Sequence, residues 1–156
     1  MKYYIYTDGS CRNNGAANAV GAWGCLVLKT DGQDILLTRS GIEYNTTNQR
    51  MELKAALRAC MLMENDFDIG AFDSICIYTD SAYLHNCIQQ GWYKRWQMNN
   101  WVNSKKQPVA NRDLWEQLIP YFEDMRFVFY KVPGHQNNKW NNYIDNIVQR
   151  LSEEAK

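Results

Sequence analysis

Hydrophobic positions in this chain follow two rhythms. Residues 2–8, Lys-Tyr-Tyr-Ile-Tyr-Thr-Asp, form a nearly continuous apolar, β-prone run, which suits a central strand covered on both faces. Gly9 to Ala19 is rich in Asn, Gly and Ala and reads as a turn. Strands are expected at Val20–Leu28 and Ile35–Ile42, with Asp31-Gly32 as the hairpin signal between them. A helical rhythm follows. Thr46-Thr47-Asn48 offers capping residues, and Met51, Leu53, Ala56, Leu57, Cys60, Met61 and Met63 recur at mixed three- and four-residue spacing. Asp73–Asp80 is another compact apolar strand, and Ser81 can cap a helix through about Gln90. Residues 91–109 are aromatic and basic. Arg112–Glu123 predicts a helix with Pro120 near its end. Phe127–Val132 is a last strand, stopped by Pro133-Gly134, and Trp140, Tyr143, Ile144, Ile147, Val148 and Leu151 mark a C-terminal helix.

Three strands followed by alternating helices and strands predict an α/β fold, a mixed sheet with helices on its faces. Two strands end in the same tetrapeptide, Ile5-Tyr6-Thr7-Asp8 and Ile77-Tyr78-Thr79-Asp80. The crossover between them passes through a helix, which permits parallel neighbours. Their flanks are dissimilar, so a duplication is not indicated.

A length of 156 residues argues for one domain spanning 1–156. No stretch approaches the ~20 apolar residues of a membrane helix. No charged-then-apolar leader precedes the first strand, so nothing suggests export and no membrane partner is expected. Cys11, Cys25, Cys60, Cys76 and Cys87 are odd in number, with no C-x-x-C pair, which favours reduced thiols in a cytoplasmic protein over zinc or a disulfide. A monomer is expected.

Net charge is zero, with 17 basic and 17 acidic residues, which taken alone argues against nucleic-acid binding. The distribution argues the other way. Trp92 to Trp115 holds Lys94, Arg95, Lys105, Lys106 and Arg112 against Asp113 alone, whereas Glu64 to Asp80 holds five acids and no base.

If the two like-ended strands are parallel neighbours, Asp8 and Asp80 meet beyond their carboxyl ends. Close unpaired carboxylates repel and need a shared proton, a basic side chain or a hard cation. No Lys or Arg adjoins either in sequence. Glu52, early in its helix, and Asp145, beside the apolar stripe residue Ile144, are further candidates. Each acid also has an ordinary reading: Asp8 as a turn residue, Asp80 as a helix cap, Glu52 and Asp145 as helix-surface acids. Four carboxylates without Cys or paired His suit Mg²⁺ or Mn²⁺. Two such ions can activate water and stabilise a leaving oxygen in phosphodiester cleavage.

Four segments occur in order: Tyr6-Thr7-Asp8-Gly9-Ser10-Cys11, Thr46-Thr47-Asn48-Gln49-Arg50-Met51-Glu52-Leu53, Tyr78-Thr79-Asp80-Ser81, and Val132-Pro133-Gly134-His135 through Asp145. Together they resemble type 1 ribonuclease H of the prokaryotic kind with a basic protrusion, from Lys2 to about Arg150. The resemblance implies a ribonuclease H-like five-stranded mixed sheet whose first three strands are antiparallel. It implies endonucleolytic cleavage of the RNA strand of RNA–DNA hybrids by two-metal hydrolysis, leaving 3′-hydroxyl and 5′-phosphate ends. The family's metal ligands fall on Asp8, Glu52, Asp80 and Asp145. By that analogy Asp8 bridges two Mg²⁺ ions, with Mn²⁺ as a substitute. Asp145 belongs with the water-activating ion, and Glu52 and Asp80 with the other.

The resemblance also places the family's mobile catalytic histidine on His135, where it assists proton movement or product release; His85 matches no role. Asn14, Asn48 and Gln49 fall on hybrid-contacting positions, and Thr47 on a DNA-phosphate position that is also an N-cap. Residues 92–115 resemble the family's handle. Lys94, Arg95, Lys105 and Lys106 would meet phosphates there, and Trp92, Trp96 and Trp101 would contact the DNA backbone or brace the handle. Departures are Gln49 for a second Asn, Ala82 for a polar contact residue, Ala16-Ala17-Asn18-Ala19 in a Gly-rich stretch, Asn142 at an often acidic place, and Asp145-Asn146-Ile147-Val148 for a smaller ending. Other readings on the same fold are a junction resolvase or transposase core, or a hybrid-binding module with a lapsed site. The cellular tasks implied are primer removal and R-loop clearance.

Overall fold

The computed structural model describes residues 1–29, 34–132 and 138–155. Its elements are β1 (Lys2–Arg12), β2 (Val20–Lys29), β3 (Ile35–Tyr44), α1 (Asn48–Asp66), β4 (Ser74–Thr79), α2 (Ala82–Gln90), α3 (Trp92–Met98), α4 (Arg112–Phe122), β5 (Phe127–Lys131) and α5 (Lys139–Glu154). One five-stranded sheet has the order β3-β2-β1-β4-β5. The first three strands pair antiparallel, and β1–β4 and β4–β5 pair parallel. The expected mixed sheet is the one observed. The Asp31-Gly32 turn lies outside the described residues.

Period-two alternation sends side chains to two separate cores. Tyr3, Ile5, Cys25, Val27, Ile75, Ile77, Phe127 and Phe129 face α1, α2 and α4 in the larger one. Ala22, Leu26 and Leu28 meet Ile144 and Val148 of α5 in the smaller. Gly24 belongs to this second contact, since a Cβ there would crowd Ile144 and Val148. Among the described residues, α5 lies over β1, β2 and β3 and leaves the β4–β5 half of that face without a helix. Tyr6, Tyr78 and Tyr130 stack across this open half, with ring centroids 4.8 and 5.3 Å apart, and Tyr130 is exposed. β1 is thus covered on both faces, by α1 and α5, as its apolar run predicts; on β4 Tyr78 is half-buried, and aromatic stacking stands where a helix would cover it.

β1 also outruns its sequence signal. It continues past Asp8 to Arg12, because Gly9 through Arg12 pair with Val20–Trp23 of β2. Side-chain oxygens start the helices. Thr47 accepts from Arg50 N, Ser81 from Leu84 N, and Asn138 from the amides of Trp140 and Asn141. Gly91 ends α2 in the left-handed conformation, φ 66°, and lets α3 begin at once. Pro120 sits in the last turn of α4, near its end as expected. Among the described residues, no helix is long and apolar enough to cross a membrane.

Candidate active site

The parallel register places the first two carboxylates. β1 and β4 pair up to Tyr6↔Tyr78, and Asp8 and Asp80 follow two residues further along each strand. They therefore stand side by side on the face that carries α5, as the two tetrapeptides predict. α5 supplies Asp145 next to Ile144, which is fully buried against the sheet.

Glu52 arrives through a close approach of helix to strand. A Cβ on Gly9 would overlap the Met51–Glu52 peptide, so α1 rests directly on β1 one residue beyond Asp8. Ser81 approaches Glu52 from the other side. Its hydroxyl favours the ionised form of Glu52 while its oxygen caps α2, and it is itself buried.

Asp8 is 5% exposed. Burial pushes its carboxyl up to about 9, helped by Asp80, by a hydrogen bond shared with Asp145, and by the charges of Asp145 and Glu52. Burial raises Glu52 to about 7, with Asp80 adding to the rise and the Ser81 hydroxyl opposing it. Asp80 is raised by burial and then Asp145, against its own backbone amide and Lys131. Among the described residues, Asp8 Oδ2 and Asp80 Oδ1 are buried with no hydrogen-bond partner. Buried carboxylate oxygens without donors are costly in a folded protein. A bound cation removes that cost.

The donor set fits a hard divalent ion: oxygen only, anionic and partly buried. Among the described residues, no three His, Cys, Asp or Glu side chains are gathered closely enough to hold an ion unaided. Magnesium keeps several waters and takes substrate phosphate oxygens, so few protein ligands suffice.

Residues expected to meet nucleic acid flank this cluster. Cys11 N donates to Asn48 Oδ1 at 2.6 Å, and Asn48 N donates to Asn14 Oδ1 at 2.9 Å. These bonds lock the first turn of α1, with Thr47 and exposed Gln49, to the β1–β2 connection. In the handle, Val109 N donates to Trp101 O and Asn103 N to Gln107 O, closing a small hairpin with Lys105 and Lys106 at its tip. Lys94, Arg95, Lys105 and Lys106 are all exposed. The tryptophans form a chain of rings: Trp92 against Trp96, Trp96 against Trp101 and Trp115. Trp101 is only 9% exposed and lies under the Arg112 guanidinium, so it braces the handle. Trp92 and Trp96 are half-buried; Trp92 Nε1 donates to Gln90. His135 lies outside the described residues.

Two residues near the carboxylates are not apparent from sequence. Ser81 is visible there only as a cap. Lys131 ends β5, level with Thr79 of β4, and favours the ionised form of Asp80. No basic residue adjoins Asp80 along the chain; Lys131 acts on it from the neighbouring strand. Aligning the ends of the three parallel strands would have found it.

A mixed sheet that brings acidic side chains together at the ends of two parallel strands defines a class of carboxylate-bearing α/β proteins. A family model described as RNase H matches residues 1–153. Ribonuclease H of Syntrophomonas wolfei is 41% identical over 145 residues, covering 93% of this chain and 92% of that protein. Ribonuclease H of Clostridium botulinum is 37% identical over 153 residues, covering 98% and 97%. Among solved structures, LC9-RNase H1, a type 1 RNase H with the type 2 active-site motif, superposes with a TM-score of 0.78 at 23% identity, covering 99% of this chain and 74% of that one. LC11-RNase H1 in complex with RNA/DNA hybrid gives 0.69 at 22% identity, with 98% of each chain covered. The chain belongs to the ribonuclease H family, and is accordingly an endonuclease of the hydrolase class.

Proposed function

We propose that this protein, as a single-domain monomer, cleaves the RNA strand of RNA–DNA hybrids by metal-dependent hydrolysis and leaves 3′-hydroxyl and 5′-phosphate ends. The observation that carries the reading is the unpartnered, buried oxygen on each of Asp8 and Asp80, inside a cluster that burial and mutual repulsion hold toward the protonated form. Asp8, Glu52, Asp80 and Asp145 would hold Mg²⁺, with Mn²⁺ as a substitute. When bound, a pair of such ions activates a water and stabilises the leaving oxygen. The Ser81 hydroxyl favours the ionised form of Glu52. Asn14 and Asn48 present amides beside the cluster, held in place by their own hydrogen bonds. They read the shape of a hybrid and its 2′-hydroxyls, not its base sequence. The handle lysines and arginine supply salt-dependent affinity for phosphates. The capture of LC11-RNase H1 with an RNA/DNA hybrid supports the choice of substrate.

Cleavage of an end-labelled hybrid, compared with duplex RNA, duplex DNA and a branched DNA, tests this. Cutting confined to the RNA of the hybrid and dependent on Mg²⁺ is expected. The Asp8→Asn protein should bind hybrid and leave it intact; full Mg²⁺-dependent cutting by that variant would sink the assignment.

A further inference from the structure

We infer that Lys131 is a substrate-positioning residue that binds a phosphate of the RNA strand next to the cleavage point; this deepens the function just proposed and rests on it. Across the sheet, the parallel strands finish in the order Asp8 from β1, Asp80 from β4 and Lys131 from β5. The last stretch of β5 is well fixed. Thr79 pairs with Lys131, and Val132 N donates to Thr79 O at 2.7 Å. Lys131 thus ends the strand next to Asp80, on the side away from Asp8, one position short of Asp80 and on the opposite face of the sheet. Strand alternation puts its side chain on the face of Phe127 and Phe129, the side of α2, where exposed Ala82 at the start of that helix offers no polar group.

Lys131 is exposed, and among the described residues it makes no ion pair. A lysine serving only as the counter-charge of Asp80 would sit within ion-pair distance of it. Among the described residues, Lys131 has no carboxylate within that distance, Asp80 included. An RNA strand that reaches Asp8 and Asp80 carries phosphates into an acidic site. A free cation beside that site attracts the phosphate and fixes the strand's path.

The test is hybrid binding by fluorescence anisotropy in EDTA across a KCl series, so that it does not depend on cleavage. Relative to the unaltered protein, Lys131→Met should bind about 3- to 10-fold more weakly, with the slope of log K against log salt reduced by about one. Lys131→Arg should restore most of both, and the melting temperatures should match. In cleavage assays KM should rise with kcat within about twofold, as expected for weakened ground-state binding. Neutral methylphosphonate linkages, placed one at a time, locate the contact. One linkage in the RNA strand should weaken the unaltered protein and leave Lys131→Met unaffected. Unchanged affinity and slope, a lowered kcat with unchanged KM, or a sensitive linkage in the DNA strand would each overturn the inference. Failure of the unaltered protein to cleave hybrid in Mg²⁺ would instead overturn the proposed function, while the binding series still reports on Lys131.

Discussion

At the scale of single residues, the site is a group of acids that the fold stabilises poorly. The carboxyl of Asp8 moves from an unfolded value of ~3.9 up to about 9 in the fold. A raised carboxylate pKa means that the protonated form is the one folding favours. The contribution of Asp8 is therefore fully present below pH ~4 and is lost as pH rises toward 9. Asp8→Asn keeps the size and removes the charge. In metal-free buffer at pH 7 it should stabilise the protein on the order of 2 kcal/mol, a gain of roughly 5 °C in Tm, and at pH 4 the gain should vanish. Thermal melts of both proteins in EDTA at the two pH values measure this; equal Tm differences at both would contradict the burial argument. Mg²⁺ should raise the Tm of the unaltered protein more than that of the variant. The pairing of Asp8 with Asp80 was legible because two strands spelled the same ending. Lys131 and the second role of Ser81 were not, since both depend on register between strands distant in sequence.

At the scale of elements, the contact between α1 and β1 decides whether Glu52 reaches the cluster. Gly9 faces the Met51–Glu52 peptide, a backbone that cannot swing aside. Gly9→Ala should lift the start of α1 off the sheet, cost about 1–3 kcal/mol or more, and reduce cleavage beyond the loss of folded protein. Gly15→Ala is the comparison. That residue has open space around it but a φ of +83°, so its replacement should cost only about 1 kcal/mol and leave the rate unchanged. Urea denaturation and turnover at saturating hybrid separate the two; similar losses for both would mean that the close approach is not what matters. Strand and helix rhythm made most elements legible. The extension of β1 was hidden because Gly-Ser-Cys-Arg has no strand pattern of its own and is ordered by pairing with β2. α3 was the faintest of the expected helices, because its aromatic residues pack on neighbouring rings and show no simple stripe. Pro120 was expected near the end of α4 because proline lacks the amide that continues a helix, and it lies two residues before the end.

At the scale of the whole molecule, zero net charge conceals a division of labour. The sheet ends gather carboxylates, while the handle gathers exposed Lys94, Arg95, Lys105 and Lys106 on a scaffold of packed rings. The scaffold and the charges are separable. Trp115 is fully buried, and Trp96 links it to Trp101 and Trp92, so the rings hold the hairpin whatever its tip carries. The four basic side chains can then be removed without loosening the fold. Replacing all four with alanine should leave Tm within about 2 °C, because exposed substitutions shift stability by no more than about 0.5 kcal/mol each. Hybrid affinity should fall steeply at low salt, and the slope of log K against log salt should drop by roughly one for each phosphate that is no longer neutralised. At saturating hybrid, kcat should stay within about threefold, since none of these groups stands at the carboxylates. Salt-series anisotropy with single-turnover cleavage at saturation reads both quantities. An unchanged salt slope would place the phosphate-binding groups elsewhere on the surface. A collapse of kcat with affinity retained would tie the handle to the chemistry instead of to binding.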